Sequence, residues 1–387
     1  MTKFLPASPT RKVLLIGCGV IGGHVLDLLA REGDAYEVTV LSRREQALTE
    51  RVNLSLTLAS IHGRFPTVHA KPHDIQHVDS TAALIEELSP DVIVNASSRQ
   101  TFWEISTLPA DVFRMLDEAK IGPWLPNHLA LARRLMLAVA QTSKRPAVVN
   151  VAFPDAVNAA LGKVGLAPLV GAGNVANAIP TLRRAVAAQL RRPAQEVEVR
   201  LIAHHYATNA IASTGSSGGA PVLLRVSCAG SDVTHAVDQK AAFKSFVHDL
   251  RRTRGINGQV VAATNAFAMV KALVSDEVSF LHAPGPEGRV GGYPVRVSKR
   301  HVEIDLPEAI DLAEAERVNE AGQRMEGIES ISESGEIVFS PSNMEILNQV
   351  LGYRHDRMQV HDVDAYADEL QSRYASLRSR LGLKARS

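Results

Sequence analysis

The sequence has 387 residues, 45% hydrophobic and 21% charged, which is the balance of a globular protein long enough for two domains. The net charge of +1 gives no overall field that favours nucleic acid or a membrane surface. Two cysteines exclude a disulfide framework and a CxxC metal site, and no apolar run matches a signal peptide or a membrane span. We therefore expect a cytoplasmic α/β protein without nucleic-acid or membrane partners.

The first predicted strand is the apolar run "KVLLIG", typical of a central parallel strand that is covered on both faces. It leads directly into Gly17, Gly19 and Gly22 and then into a helical pattern. In a dinucleotide-binding turn, the first glycine allows the tight bend, the second lets the backbone approach a pyrophosphate, and the third lets helix and strand pack closely. The helix start at Val20 and Ile21 would present free N–H groups to that pyrophosphate.

The second predicted strand, "YEVTVLS", ends in Ser42, Arg43 and Arg44, where an NAD enzyme usually has Asp or Glu for the ribose 2′-hydroxyl. A carboxylate would repel a 2′-phosphate, whereas a hydroxyl and guanidinium groups can bind it. The pattern therefore predicts NADP as the cofactor. The alternative is that both arginines form a solvated loop end.

Further strands and helices alternate through residue 172: a helix in "TAALIEELS", a strand in "DVIVNAS", a helix in "NHLALARRLMLAVAQTS" and a strand in "RPAVVNVAF". This alternation predicts a doubly wound parallel sheet, the Rossmann fold. Ligands of such sheets lie at the carboxyl ends of the strands, so the loops after Asn95, Val151 and Val170 would face the site. Asn95 and Ala96 are candidates for cofactor contact, although Asn95 is equally suited to cap a turn.

From "VNVAFPDAVNAAL" onward, the order of landmarks resembles the lactate/malate dehydrogenase superfamily. "LVGAGNVANAIPTLRRAVAAQL" is similar to its glycine-rich stretch and long helix, and "VEVRLIAHHYATNA" to the strand that ends in its catalytic histidine, here His205. "RRTRGINGQVVAATNAFAMVKALVSD" resembles its late helix, and "GGYPVRVSKRHVEIDL" its closing hairpin. The resemblance runs from about residue 12 to 327 and implies a Rossmann domain at 1–172, followed by an α+β substrate domain with a C-terminal extension at 173–387.

Several positions depart from that family's pattern. The resemblance places Asn177 where the family has the Asp that holds the histidine, and Pro180 where it has the Arg that grips the substrate carboxylate. Arg99 remains in the substrate loop as a candidate catalytic residue, and Asn257 stands at a substrate-binding position that is often Thr. A simple 2-hydroxy acid is therefore not the expected substrate.

Hydride reduction of a carbonyl or imine needs a proton donor, and a tunable imidazole suits that role. His205 is the candidate, with Asn177 as its expected hydrogen-bonding partner. His204 is the alternative if the alignment is off by one, and on a strand the two side chains would point to opposite faces. The histidines show no HExxH motif, and no metal is expected.

The sequence thus predicts an NADP-dependent oxidoreductase that acts on a small carbonyl or hydroxyl substrate, as a homodimer or homotetramer. One alternative is an imine or amino-acid reductase that resembles the saccharopine or opine dehydrogenases. Another is a catalytically silent NADP-binding sensor, which the missing Asp and Arg would favour. Fold analogy alone does not decide among them.

Overall fold

A computed structural model describes residues 10–253 and 255–383. Its first half contains a six-stranded sheet in the order β3-β2-β1-β4-β5-β6, in which every neighbouring pair is parallel. The predicted doubly wound sheet is therefore confirmed. The strands are β1 (Arg11–Ile16), β2 (Tyr36–Ser42), β3 (Thr67–Pro72), β4 (Val92–Asn95), β5 (Ala147–Asn150) and β6 (Val170–Gly171).

Helices cover both faces of this sheet, as the side chains of β1 require. Leu14 and Ile16 belong to one apolar layer and Val13 and Leu15 to the other, and all four are buried. A strand without a polar face is stable only when it is covered on both sides. The helices of this half are α1 (Val20–Arg31), α2 (Glu45–Ile61), α3 (Val78–Leu88), α4 (Ala110–Glu118), α5 (Leu125–Ala140) and α6 (Pro154–Gly162).

The second half mixes helices with two antiparallel sheets, β7-β8-β9 and β10-β11-β12. Its strands are β7 (Val197–Ile202), β8 (Leu223–Cys228), β9 (Ser231–Asp232), β10 (Ser279–Pro284), β11 (Gly292–Ser298) and β12 (His301–Ile304). Its helices are α7 (Val175–Leu190), α8 (His205–Thr214), α9 (Gln239–Lys244), α10 (Val260–Leu273) and α11 (Leu312–Met325). This is the α+β architecture that was expected after the parallel sheet.

The C-terminal extension adds a third antiparallel sheet, β13-β14-β15, and two helices. Its elements are β13 (Ile328–Ile331), β14 (Glu336–Phe339), α12 (Pro341–Leu351), β15 (Arg357–Gln359) and α13 (Val363–Arg380).

This extension packs on the first half of the chain, where α13 lies against α5 and α12 against α4. The buried Trp124 meets Tyr374 edge-on, with 5.8 Å between the ring centroids. The expected boundary near residue 172 falls between β6 and α7, but apolar residues between 328 and 383 share the core of the first unit. Within the described residues, no helix is both long and apolar enough to cross a membrane.

Candidate active site

A cleft with a volume of about 1630 Å³ opens at the carboxyl ends of the parallel strands. Its walls include the loops after β1, β2, β4 and β5, the start of α8 and the inner side of α13. Gly19, Arg43, Ala96, Phe153 and His205 all line it, so one cavity joins the predicted nucleotide turn to the predicted proton donor.

The glycine turn has the geometry that its sequence predicts. Gly17 has a φ of 89°, and a Cβ there would lie 2.8 Å from the Ala96 carbonyl oxygen. A Cβ on Gly22 would lie 1.9 Å from the Gly17 carbonyl oxygen, so that the helix fits against the turn only with glycine. Gly19 is the N-cap of α1, and its missing Cβ would meet nothing within 4 Å. The turn therefore has room for a pyrophosphate at the N–H groups of Val20 and Ile21.

Ser42, Arg43 and Arg44 line the cleft at the end of β2, and both arginines are exposed. The neighbouring strand contributes Asp74, whose carboxylate already accepts hydrogen bonds from the Gln76 backbone N–H and side-chain amide at 3.0 and 3.2 Å. The end of β2 itself carries no acid. Two guanidinium groups therefore lie on the cleft wall at the end of β2.

Asn95 is buried, with 1% of its surface exposed, and its side chain serves the protein interior. Its Oδ1 accepts hydrogen bonds from the backbone N–H and the hydroxyl of Ser97 at 3.2 and 2.6 Å, and its Nδ2 donates to Asn150 at 3.0 Å. Of the two roles open in the sequence, this geometry matches the turn cap. Ala96 does line the cleft.

His205 begins helix α8, three residues after the end of β7, with His204 as the N-cap. Its Nδ1 lies 2.7 Å from Oε2 of Glu326, the C-cap of α11. Glu326 is 3% exposed, whereas a quarter of the His205 side chain is exposed in the cleft. With Nδ1 engaged by the carboxylate, Nε2 is the ring nitrogen left for a substrate.

The environment of this pair favours the ionised forms. Burial alone would lower the pKa of His205, but the charge and hydrogen bond of Glu326, together with the Asp155 charge, raise it to about 9. Burial would likewise raise the pKa of Glu326, but His205 and His204 lower it to about 2. These shifts favour an imidazolium held by a carboxylate at neutral pH, an arrangement that can donate a proton.

The expectation that His204 and His205 point to opposite faces is wrong. His204 is fully buried, and its Nδ1 lies 3.4 Å from the same Glu326 oxygen that His205 contacts. The chain leaves the strand at Ile202, and successive residues around a helix start do not alternate by 180° as they do on a strand.

A second buried carboxylate, Asp155, fixes the backbone at this place. Its Oδ1 accepts the His205 backbone N–H at 2.8 Å, and its Oδ2 accepts from the Asn174 side-chain amide. Asp155 lies in the first turn of α6, where a helix favours negative charge. One carboxylate thus links the starts of α6, α7 and α8.

The other residues predicted from the resemblance occupy different surroundings. Asn177 lines the cleft, but its Oδ1 accepts a hydrogen bond from Asn265 at 2.8 Å, and the imidazole is instead held by Glu326. Asn257 is exposed, and its neighbours Ile256 and Gly258 line the cleft.

Arg99 lines the cleft at the loop after β4, but the C-terminal helix neutralises its guanidinium. Its Nη2 lies 2.7 Å from Asp364 Oδ1, and its Nη1 contacts Asp368. Gln371 also donates to the Arg99 carbonyl oxygen at 3.1 Å. A substrate carboxylate would have to compete with two aspartates for this arginine.

Glu326 and Asp155 were not identified from the sequence. Glu326 lies 121 residues after His205, at the end of an amphipathic helix where acidic residues are common, so no local pattern marks it. Asp155 directly follows Pro154 at a predicted helix start, where capping explains an acid.

Among the described residues, no three His, Cys, Asp or Glu side chains are grouped to hold a metal, and the absence of a metal stays a prediction.

Residues 13–108 match the family model described as the saccharopine dehydrogenase NADP binding domain. Solved structures with a similar fold include lactate dehydrogenase from Eimeria maxima with NADH and oxamate, at 13% identity and a TM-score of 0.55 over 82% of this chain and 92% of that one. A second is lactate dehydrogenase from Cryptosporidium parvum, in complex with lactic acid and nicotinamide adenine dinucleotide. Its sequence identity is 16% and its TM-score 0.55, over 82% of this chain and 96% of that one. A third is malate dehydrogenase from Salinibacter ruber, with 16% identity and a TM-score of 0.51 over 88% of this chain and 98% of that one. No curated protein sequence matches the chain significantly.

At these identities the structural likeness establishes the fold. The family model adds a nucleotide-binding domain over the first quarter of the chain, where the glycine turn lies. Together they support an NAD(P)-dependent oxidoreductase, and the expected resemblance to lactate and malate dehydrogenases is confirmed at the level of the fold.

Proposed function

We propose that this protein is an NADP-dependent oxidoreductase in which His205, held by Glu326, exchanges a proton with a carbonyl or hydroxyl substrate. The observation that carries the proposal is the His205–Glu326 pair, with Nδ1 and Oε2 2.7 Å apart, in the same cleft as the glycine turn. Bound nicotinamide would supply or accept the hydride. We expect the protein to act in the cytoplasm as a homodimer or homotetramer.

The choice of NADP rests on Arg43 and Arg44 at the end of β2. Both are exposed and both line the cleft, where two positive charges would attract a 2′-phosphate. The family model, which describes an NADP-binding domain, supports the same choice.

The role of His205 follows from its charge and its exposure to the cleft. In the reductive direction, His205 would donate the Nε2 proton to the oxygen that gains negative charge as the carbonyl carbon is reduced. Glu326 would stabilise the imidazolium and orient the ring through Nδ1. Solvent entering the open cleft would restore the proton after each turnover.

The substrate-binding residues argue against a simple 2-hydroxy acid. Pro180 cannot bind a carboxylate, and the guanidinium of Arg99 is paired with Asp364 and Asp368. A ketone or aldehyde without a carboxylate next to the reacting carbon suits this cleft better.

A second candidate is the reduction of an imine, as in enzymes similar to the saccharopine dehydrogenases. The match of residues 13–108 to the saccharopine-type domain is the observation that favours it. The same imidazolium would then protonate an imine nitrogen.

NADPH oxidation by the purified chain tests these proposals, first with a panel of ketones and aldehydes and then with the same compounds plus amines. We expect turnover with carbonyls alone. Turnover only when an amine is present would replace the first candidate by the second. Tight NADPH binding without oxidation in any mixture would overturn both in favour of a nucleotide-binding sensor.

A further inference from the structure

A second imidazole in the cleft has no assigned role. His128, on α5, lines the cleft, yet only 7% of its surface is exposed. Its ring meets Phe153 edge-on at a centroid distance of 5.9 Å, and Phe153 in turn meets His205 at 6.0 Å. Phe153 has a φ of 46°, a left-handed conformation that is unfavourable for an aromatic residue and typical of functional sites. The strained residue therefore contacts both imidazoles.

Within the described part of the chain, His128 lacks a hydrogen-bond partner. Its Nδ1 is fully buried and unpaired, and no bond to Nε2 is present among these residues either. Buried polar groups in folded proteins are nearly always paired, and an unpaired imidazole at the wall of a cleft is one of the exceptions that a role in the site would explain. Gln100, on the wall formed by the loop after β4, likewise has a buried and unpaired Nε2.

The two imidazoles differ in charge. Burial, helped by the positive charge of His205, lowers the pKa of His128 to about 4, so that His128 is neutral where His205 is protonated. Neighbouring groups whose environments push their pKa values apart are a recurring feature of reaction sites.

A neutral imidazole has one N–H and one lone pair, and a hydroxyl can pair with either because it both donates and accepts. An ammonium only donates and a carboxylate only accepts. The carboxylates beside this site, Glu326 and Asp155, are already hydrogen-bonded and leave an ammonium without a counter-ion. The cleft also includes Phe102, Trp103 and Phe113, which suit a bulky apolar group.

We infer that His128 binds a hydroxyl on the carbon next to the reacting carbon, so that the substrate is an α-hydroxy ketone, or the matching 1,2-diol, with a bulky apolar substituent. This inference rests on the proposed function for the position of the reacting carbon. It adds a specificity-determining residue that is separate from the proton donor.

Binding of two alcohols to the protein saturated with NADP tests it by calorimetry without any hydride transfer. The probes are 1-phenyl-1,2-ethanediol and 1-phenylethanol, which differ by the hydroxyl that His128 would hold. We expect the diol to bind at least about tenfold more tightly to the natural protein. His128→Phe keeps an aromatic ring against Phe153. In this variant the diol should bind only as weakly as 1-phenylethanol.

His355→Phe is the matched control, since His355 also packs between aromatic rings but lies outside the cleft. It should keep the preference for the diol. Equal affinities in the natural protein, no measurable binding of either alcohol, or a preference that persists in His128→Phe would each overturn the assignment. If His128→Phe fails to bind NADP, His128→Leu takes its place and should likewise lose the preference for the diol. A natural protein without that preference would overturn the assignment whatever the variants do. Failure of the proposed reaction would instead be seen as absent NADPH oxidation while the diol preference persists.

Discussion

At the nucleotide end of the cleft, three glycines within six residues form one turn, whereas at the proton-donor end His205, Asp155 and Glu326 come from three helices. Asp155 and Glu326 lie 50 and 121 residues from His205 along the chain. A pyrophosphate is bound by backbone groups, so its site requires particular glycines in a fixed local order. An imidazolium needs only a nearby carboxylate, which any neighbouring element can supply. The two ends of one cleft therefore differ in how much of their chemistry is visible in a short stretch of sequence.

The proton-donor end is tested most severely by His205→Asn. If His205 exchanges the substrate proton, kcat should fall by roughly a hundredfold to ten-thousandfold, the usual contribution of general acid–base catalysis. NADPH affinity, measured by calorimetry, should change little because the imidazole meets the substrate. Full activity of the variant on a confirmed substrate would show that the proton comes from another group. His355→Asn, outside the cleft, serves as the control.

The nucleotide end is tested by Gly19→Val. Because a side chain there enters open space, the fold should persist, while the space needed by the pyrophosphate is filled and NADPH binding weakens by about a hundredfold or more. Gly22→Val is the contrasting variant, since its side chain would meet the Gly17 carbonyl oxygen and should destabilise the fold itself. Thermal unfolding and NADPH titration of both variants separate the two roles. Normal NADPH binding by Gly19→Val would reduce the glycine run to a structural turn.

Glu326→Gln removes the carboxylate that contacts His205. Its effect should be seen in the pH dependence of the rate. In the natural protein the pKa of His205 is about 9, so the donor is protonated below that pH and activity should fall only above it. Without the Glu326 charge, burial lowers this pKa, the alkaline limb moves to lower pH, and the rate near pH 8 drops by roughly tenfold to a hundredfold.

Glu369→Gln is its control, because Glu369 holds His355 at the same distance of 2.7 Å outside the cleft. Its pH–rate profile should match that of the natural protein. An unchanged profile in Glu326→Gln would instead mean that Glu326 only supports the fold.

The smallest expected effect concerns nucleotide choice. NADPH should bind at least about tenfold more tightly than NADH, a difference of about 1.4 kcal/mol in binding free energy. Arg43→Ala should reduce this difference. Arg31→Ala, at the far end of α1, should leave it unchanged. Equal affinities for both nucleotides in the natural protein would remove the basis for NADP.

The sequence was most informative where local rules apply. The strands β1, β2, β4 and β5 and the helices α3 and α5 follow from apolar runs and helical periodicity, whereas the late helix α10 was expected from the family resemblance. The edge strand β3 was not predicted: its residues are mostly exposed and lack the apolar run of a buried strand. Its place is determined by pairing with β2.

The surroundings of His205 followed from the sequence in part, and its role as proton donor stays a prediction. His205 was found by its position in the family's order of landmarks, but the resemblance pointed to Asn177 as its partner, and the carboxylate beside the imidazole is that of Glu326. The placement of His205 on a strand was wrong because β7 ends at Ile202 and a helix begins. Long-range pairs of this kind depend on how α8 and α11 pack, which no local pattern records.

The packing of α13 on α5 has a consequence for synthesis of the chain. Trp124, buried in the finished protein, meets Tyr374 from 250 positions later, and the interior around Leu129 and Leu135 includes Leu370 and Leu377. While the ribosome is still adding the last helix, the first half has all its own strands and helices but an apolar surface without its cover. Completion of this surface therefore waits for synthesis of α13, and until then chaperones would meet an exposed patch on an otherwise assembled nucleotide-binding unit.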